Sequence, residues 1–178
     1  MSEKTYRATS WYDARVEIRP SIIQGGGMFA REPIQAGEIV AIIGGTLMSE
    51  EEFHAYTATV SRFNATQIGE DLHLVDLVQT PETVAGSLNH SCDSNLWMQD
   101  EVTITARRAI TAGEELTLDY ALTTVEPGWQ LDQPCQCGTA VCRHIITGND
   151  WQLPDVQQRY QGHFAPFINK RICKAHQL

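Results

Sequence analysis

The sequence predicts a mainly β fold of short strands with few helices. Three observations carry this: glycine clusters punctuate the first half, apolar residues alternate with polar ones over 102–106, and one well-capped helix interrupts the strands. Gly25-Gly26-Gly27, Gly37 and Gly44-Gly45 are turn signals that separate β-rich runs such as 38–43. Ser49 offers an N-cap, and Glu50, Glu51 and Glu52 complement the helix dipole ahead of Phe53 and Tyr56, which predicts a helix over 49–58.

Residues 72–77 and Trp97-Met98 read as strands. Val102, Ile104 and Ala106 alternate with polar neighbours as a half-buried strand does, and Leu116 and Leu118 mark another. Ala85-Gly86-Ser87 is turn-like. Pro127, Gly128 and Pro134 give 123–134 the chemistry of a linker, so the compact β unit ends near 124. Pro154 suits the first turn of a helix reaching about Tyr160, and 164–173 predicts one more.

A chain of 178 residues fits one compact domain plus an appendage. Hydrophobic residues at 42% and charged residues at 20% place it outside both the disordered and the membrane-embedded classes. The first twenty residues lack an apolar run, and no segment approaches the roughly 18 to 20 apolar residues that span a bilayer, so the expectation is an intracellular protein with no membrane contact. Nucleus and cytoplasm are not distinguished, and the oligomeric state is left open. A net charge of -9 repels a phosphate backbone and attracts Lys/Arg-rich proteins, which argues for a basic protein partner and no direct nucleic-acid contact; the same acidity also serves solubility.

Cys135, Cys137 and Cys142 lie within eight residues of one another in a chain of five cysteines, which suits a metal better than a disulfide framework. Three thiolates occupy three corners of a zinc tetrahedron. Cys92, within Asn89-His90-Ser91-Cys92, is the best candidate for the fourth, and four thiolates leave no open position, so the Zn2+ is structural. Cys173 stands alone and receives no role. The run Gly25 to Ala30 lets backbone approach a ligand but also reads as a plain turn. Asn89-His90 suits either a buried polar network or a ligand site, and Tyr120, at the end of E-E-L-T-L-D-Y, presents a phenol or simply anchors a core.

In order, G-G-G-M-F-A, N-H-S-C-D-S-N, E-E-L-T-L-D-Y and C-Q-C-G-T-A-V-C resemble a SET domain followed by its post-SET segment, over about residues 15 to 148. The resemblance implies a SET-type (β-clip) fold of short sheets with a pseudoknot that carries Cys92 to the later cysteines. The chain thus divides into a SET domain at 15–124, a post-SET zinc segment at 131–148 and a C-terminal helical extension at 149–178, which the resemblance does not cover. The resemblance implies a protein-lysine methyltransferase using S-adenosylmethionine, held by Gly25, Gly26, Gly27, Met28, Phe29, Asn89, His90 and Tyr120, with a histone as one fitting basic substrate. Tyr120 matches the family's catalytic tyrosine. Leu118 and Ile42 fall at the substrate channel, and Leu118, having no hydroxyl, leaves room for products beyond monomethyl-lysine.

The sequence departs from the family pattern in several places. Ile42-Ile43-Gly44-Gly45 stands where the family has a Y-x-G segment, so one channel hydroxyl is missing. Gly86-Ser87-Leu88-Asn89 replaces the usual R-F-x-N, and Ser94 stands where a proline is usual. No aromatic follows Cys142 closely, which leaves Trp151 as the substitute cover. Residues 1–15 lack a pre-SET cysteine cluster. The second reading is a SET-fold binding module without turnover; a purely structural zinc protein is the third.

Overall fold

A computed structural model describes residues 4–60, 63–77 and 88–177. Three small sheets dominate them. β1 (Trp11–Tyr12), β4 (Ile39–Ile42), β10 (Thr103–Ala106) and β9 (Leu96–Met98) form one, in that order. β2 (Val16–Pro20), β3 (Gly26–Ala30), β11 (Glu115–Leu118) and β8 (Asn89–His90) form the second. β5 (Thr46–Ser49), β7 (Leu72–Asp76) and β6 (Asn64–Gly69) form the third. The turn expected at 85–87 lies outside the described residues.

Most neighbouring strands run antiparallel, but β8 and β11 run parallel, with Asn89 opposite Thr117 and His90 opposite Leu118. That pairing sets the N-H-S-C segment against the strand leading to Tyr120.

The helix predicted over 49–58 is α1 (Glu50–Thr57). Its start is fixed locally: Ser49 Oγ accepts from the Glu52 N–H, and the Glu52 carboxylate accepts from the Ser49 N–H at 2.8 Å, a reciprocal capping box. β10 departs from the half-buried strand expected of its alternation. Thr103 and Thr105 are buried as fully as Ile104 and Ala106, because β10 is paired on both edges and covered on both faces.

The C-terminal segment is part of the core and not an appendage to it. α2 (Pro154–Arg159) and α3 (Pro166–Ala175) both start with a proline, whose fixed φ suits a first helical turn. They bury Val156, Phe167 and Ile168, and the connection between them buries Tyr160 and Phe164, in one cluster with Leu96, Met98 and Leu122. The Tyr160 hydroxyl accepts from the Ser94 N–H at 2.9 Å, which ties this region to the N-H-S-C-D-S-N stretch.

Replacing Phe164 by alanine is therefore expected to cost about 3–5 kcal/mol of global stability in urea unfolding, as for a buried aromatic in any core. A loss below about 1 kcal/mol would mean that the helices fold independently of the sheets.

Candidate active site and metal centre

At the end of β11 the chain turns directly into a short 3-10 turn, Tyr120–Leu122, capped by Asp119, whose Oδ1 accepts from the Ala121 N–H at 3.1 Å. Asp119 is 0% exposed, and a buried carboxylate keeps its charge only if it is paired. The two terminal nitrogens of Arg143 meet its two oxygens at 2.8 and 2.7 Å, while Arg143 Nε holds Asp150 at 2.7 Å. Burial alone would lower the Arg143 pKa, but the hydrogen bonds and charge of Asp119 outweigh it and raise it. A planar guanidinium gripping two carboxylates fixes direction as well as distance.

β8 delivers His90 alongside. The Tyr120 N–H donates to His90 Nδ1 at 3.2 Å, and since a backbone N–H only donates, the ring proton belongs on Nε2, which lies 3.2 Å from Cys92 Sγ. Burial holds the His90 pKa down at about 4, so the ring is neutral near pH 7.

Cys92 Sγ thus receives two N–H groups, from His90 and from the Arg143 backbone at 3.3 Å. Burial pushes its thiol well above the ordinary range, so without a cation the sulfur stays protonated, whereas two converging donors suit a thiolate. The sulfurs of Cys92, Cys135, Cys137 and Cys142 all lie within 4.8 Å of one another, and none is in a disulfide. Four sulfurs so placed can hold a metal ion, with Cys92 reaching the later three from 43 or more positions earlier in the chain.

The Tyr120 hydroxyl donates to the Leu88 carbonyl at 2.9 Å, and its ring stands 5.1 Å from His90 and 6.0 Å, edge-on, from Trp129. Burial, helped by charge at Cys135, pushes its pKa up to about 12. Two cavities meet at this residue. One, of about 250 Å³, is bounded by Ser10, Tyr12, Ile43, Asp76, Leu118 and Trp129. The other, of about 230 Å³, lies between Ile23, Gln24, His90 and the stretch 131–136. Tyr120 lines both.

The glycine turn borders the second cavity through Gln24. Gly25 has φ +50°, and Asn89 Nδ2 donates to the Gln24 and Gly26 carbonyls at 3.1 Å each and to Glu115 Oε1 at 2.8 Å. Gly27 has no room for a side chain, since a Cβ there would lie 2.2 Å from Glu115 Oε1.

Of the residues singled out from the sequence, His90 and Tyr120 line the second cavity, and Asn89 clamps the turn beside it. Met28 lines the first cavity instead, and Phe29 lies under the Arg19 guanidinium at 4.2 Å. Leu118 lines the first cavity; at the replaced Y-x-G it is Ile43 that does so, while Ile42 pairs with Trp11. Trp151 packs on the core with Arg171 5.9 Å above its ring, and the tryptophan at the cavity is Trp129. Sequence reasoning missed Tyr12, Gln24, Trp129, Arg143 and the wall at 131–136. The turn-forming composition of 123–134 signalled an irregular segment but not what it faces.

The SET domain family matches residues 25–121, and the chain belongs to that family. Among similar proteins are histone-lysine N-methyltransferase ash1 of Drosophila melanogaster, 32% identical over 164 residues, and histone H3-lysine(4) N-trimethyltransferase ATX1 of Arabidopsis thaliana, 28% identical over 162 residues. These matches cover 85% and 84% of this chain but 7% and 15% of the relatives. Histone-lysine N-methyltransferase 2B of Homo sapiens is 30% identical over 145 residues, 74% of this chain and 5% of its own. The chain thus spans a small fraction of the relatives it matches. No helix among the described residues is long and apolar enough to cross a membrane.

Arg143→Met leaves Asp119 buried without its cation and is expected to cost about 3–5 kcal/mol, read as a lower melting temperature, with less metal retained by elemental analysis after zinc loading. A variant that melts like wild type with its metal retained would contradict this reading of the pair.

Proposed function

We propose that this chain methylates the ε-amine of lysine in a basic protein, using S-adenosylmethionine as donor, and that a histone is a fitting substrate. The observation that carries the proposal is the position of Tyr120, which lines two separate cavities at once. A methyl group passes between two molecules only where their sites meet, and Tyr120 stands where these two do.

The donor belongs in the cavity with His90 and Gln24, beside the turn clamped by Asn89. When bound, it supplies a sulfonium-activated methyl group. The lysine belongs in the other cavity, where Met28, Ile43, Met98, Ile104 and Leu118 form apolar walls.

A lysine of pKa about 10.4 costs about 4.6 kcal/mol to deprotonate at pH 7. Apolar walls disfavour the ammonium and so offset part of that cost. Asp76 in the wall and the net charge of -9 favour approach of a cationic side chain before it is desolvated. Tyr120, protonated up to about pH 12, keeps a neutral hydroxyl beside the amine and aligns it, and alignment is worth several kcal/mol in such a transfer. The metal at the four cysteines is read as zinc in a structural role. It would hold the 131–148 segment against Cys92 and thereby close the donor cavity, which includes Cys135 in its wall.

The test is incubation of the zinc-loaded protein with methyl-labelled S-adenosylmethionine and a panel of core histones and other lysine-rich proteins, in parallel with Tyr120→Phe. Label on lysine, reduced about 100-fold or more in the variant, is expected. kcat/KM should rise from about pH 7 to 10 as the substrate amine deprotonates, with no decline from Tyr120 in that range. Donor binding by calorimetry with no label on any protein would favour the binding-module reading, and no donor binding would contradict both.

A further inference from the structure

The replaced Y-x-G segment leaves the lysine cavity one hydroxyl short, yet the cavity holds a second tyrosine from another part of the chain. β1 lies on the outer edge of β4, with Trp11 opposite Ile42 and Tyr12 opposite Ala41, directly beside the altered segment. Tyr12 lines the same cavity as Tyr120 and Leu118.

Several contacts hold Tyr12 there. The Gly45 N–H donates to the Arg7 carbonyl at 2.9 Å, the Gly44 N–H to Ser10 Oγ at 3.0 Å and the Asp13 N–H to the Val40 carbonyl at 2.9 Å. Gly44 is packed so tightly on this strand that a Cβ would lie 2.4 Å from the Thr9 carbonyl oxygen. Lys4 pairs with Glu101 and anchors the far end of the segment. The segment before β2, which lacks any stabilising cysteine cluster, is thereby built into the cavity wall. Burial first, and Asp76 to a lesser degree, raise the Tyr12 pKa against the Ser10 hydrogen bond, so its hydroxyl stays protonated.

We infer that Tyr12 replaces the missing channel hydroxyl and limits how many methyl groups the target lysine receives. This rests on the methyltransferase reading above. A neutral amine aims its lone pair at the donor methyl and has two N–H bonds left to place. A hydroxyl that accepts one of them fixes the rotation of the amine. Before a second transfer, the methyl already added must occupy a position where an N–H stood, and an oxygen in hydrogen-bond contact resists it. Leu118 offers no such oxygen, so Tyr12 is the tyrosine of this wall that shares the cavity with Tyr120. Tyr12 is a specificity-determining residue in this account, and the bond-making step is unchanged: the amine nitrogen takes the methyl, the donor's carbon–sulfur bond breaks with its electron pair leaving on sulfur, and the amine proton passes to water.

The experiment uses the full zinc-loaded chain and the protein of the panel that wild type labels, with mass spectrometry of the product lysine. In Tyr12→Phe the ratio of di- and trimethyl to monomethyl-lysine should rise about fivefold, the change expected for one lost hydrogen bond, with the melting temperature little altered. Tyr56→Phe, which removes the hydroxyl of a tyrosine on α1 that lines neither of the two cavities, should leave the ratio unchanged. An unchanged ratio in an active, folded Tyr12→Phe protein overturns this inference alone. A wild-type chain that labels no lysine overturns the function it rests on, and this inference with it.

Discussion

Asp119 is shut off from solvent one residue before Tyr120, and a carboxylate in that position must find a cation or surrender its charge. Arg143 supplies the cation, from the residue directly after Cys142. One ion pair thus joins the end of β11, where Tyr120 is presented, to the cysteine segment. The second grip of Arg143, on Asp150, extends the link toward α2 and α3. The backbone N–H of the same arginine points at Cys92 Sγ, so the charge pair and the sulfur cluster share one residue. Break the pair, and the wall formed by 131–136 loses its anchor to both.

The two cavities have different builders. The cavity proposed for the donor is assembled from segments far apart in sequence: the glycine turn, β8 and the stretch before the cysteines, gathered by Asn89, Arg143 and the four sulfurs. The cavity proposed for the lysine is built on the sheet edge, where β1 lies against β4, and β6 and β7 also line it. Tyr120 is held between them by the Leu88 carbonyl and by His90, whose neutral ring accepts the Tyr120 N–H. The tyrosine therefore needs both halves in place.

Much of this was legible in the sequence wherever the cause is local. The Ser49 cap announces α1 and Pro154 announces α2, and the ordered motifs single out Asn89, His90 and Tyr120, of which His90 and Tyr120 line one cavity. Cys92 could be matched to the later cysteines because thiolate chemistry demands a fourth ligand. What escaped notice depends on distant partners. Arg143 carries no motif of its own, and its place shows only once Asp119 is seen to be buried. Thr103 and Thr105 read as the solvent face of β10 until both faces prove covered. Tyr12 carries no motif, and only the pairing of β1 with β4 brings it to the cavity. The helix expected over 164–173 gives no sign that Phe164, Phe167 and Ile168 pack into the central core.

The account depends on donor and lysine entering from opposite sides and meeting at Tyr120. A crystal structure with S-adenosylhomocysteine and a lysine-containing histone peptide tests this most directly. The nucleoside is expected against Gln24, His90 and 131–136, and the lysine amine between Tyr12, Leu118 and Tyr120. Both ligands on one side of Tyr120, or a peptide bound away from the cavity that Tyr12 lines, would contradict it.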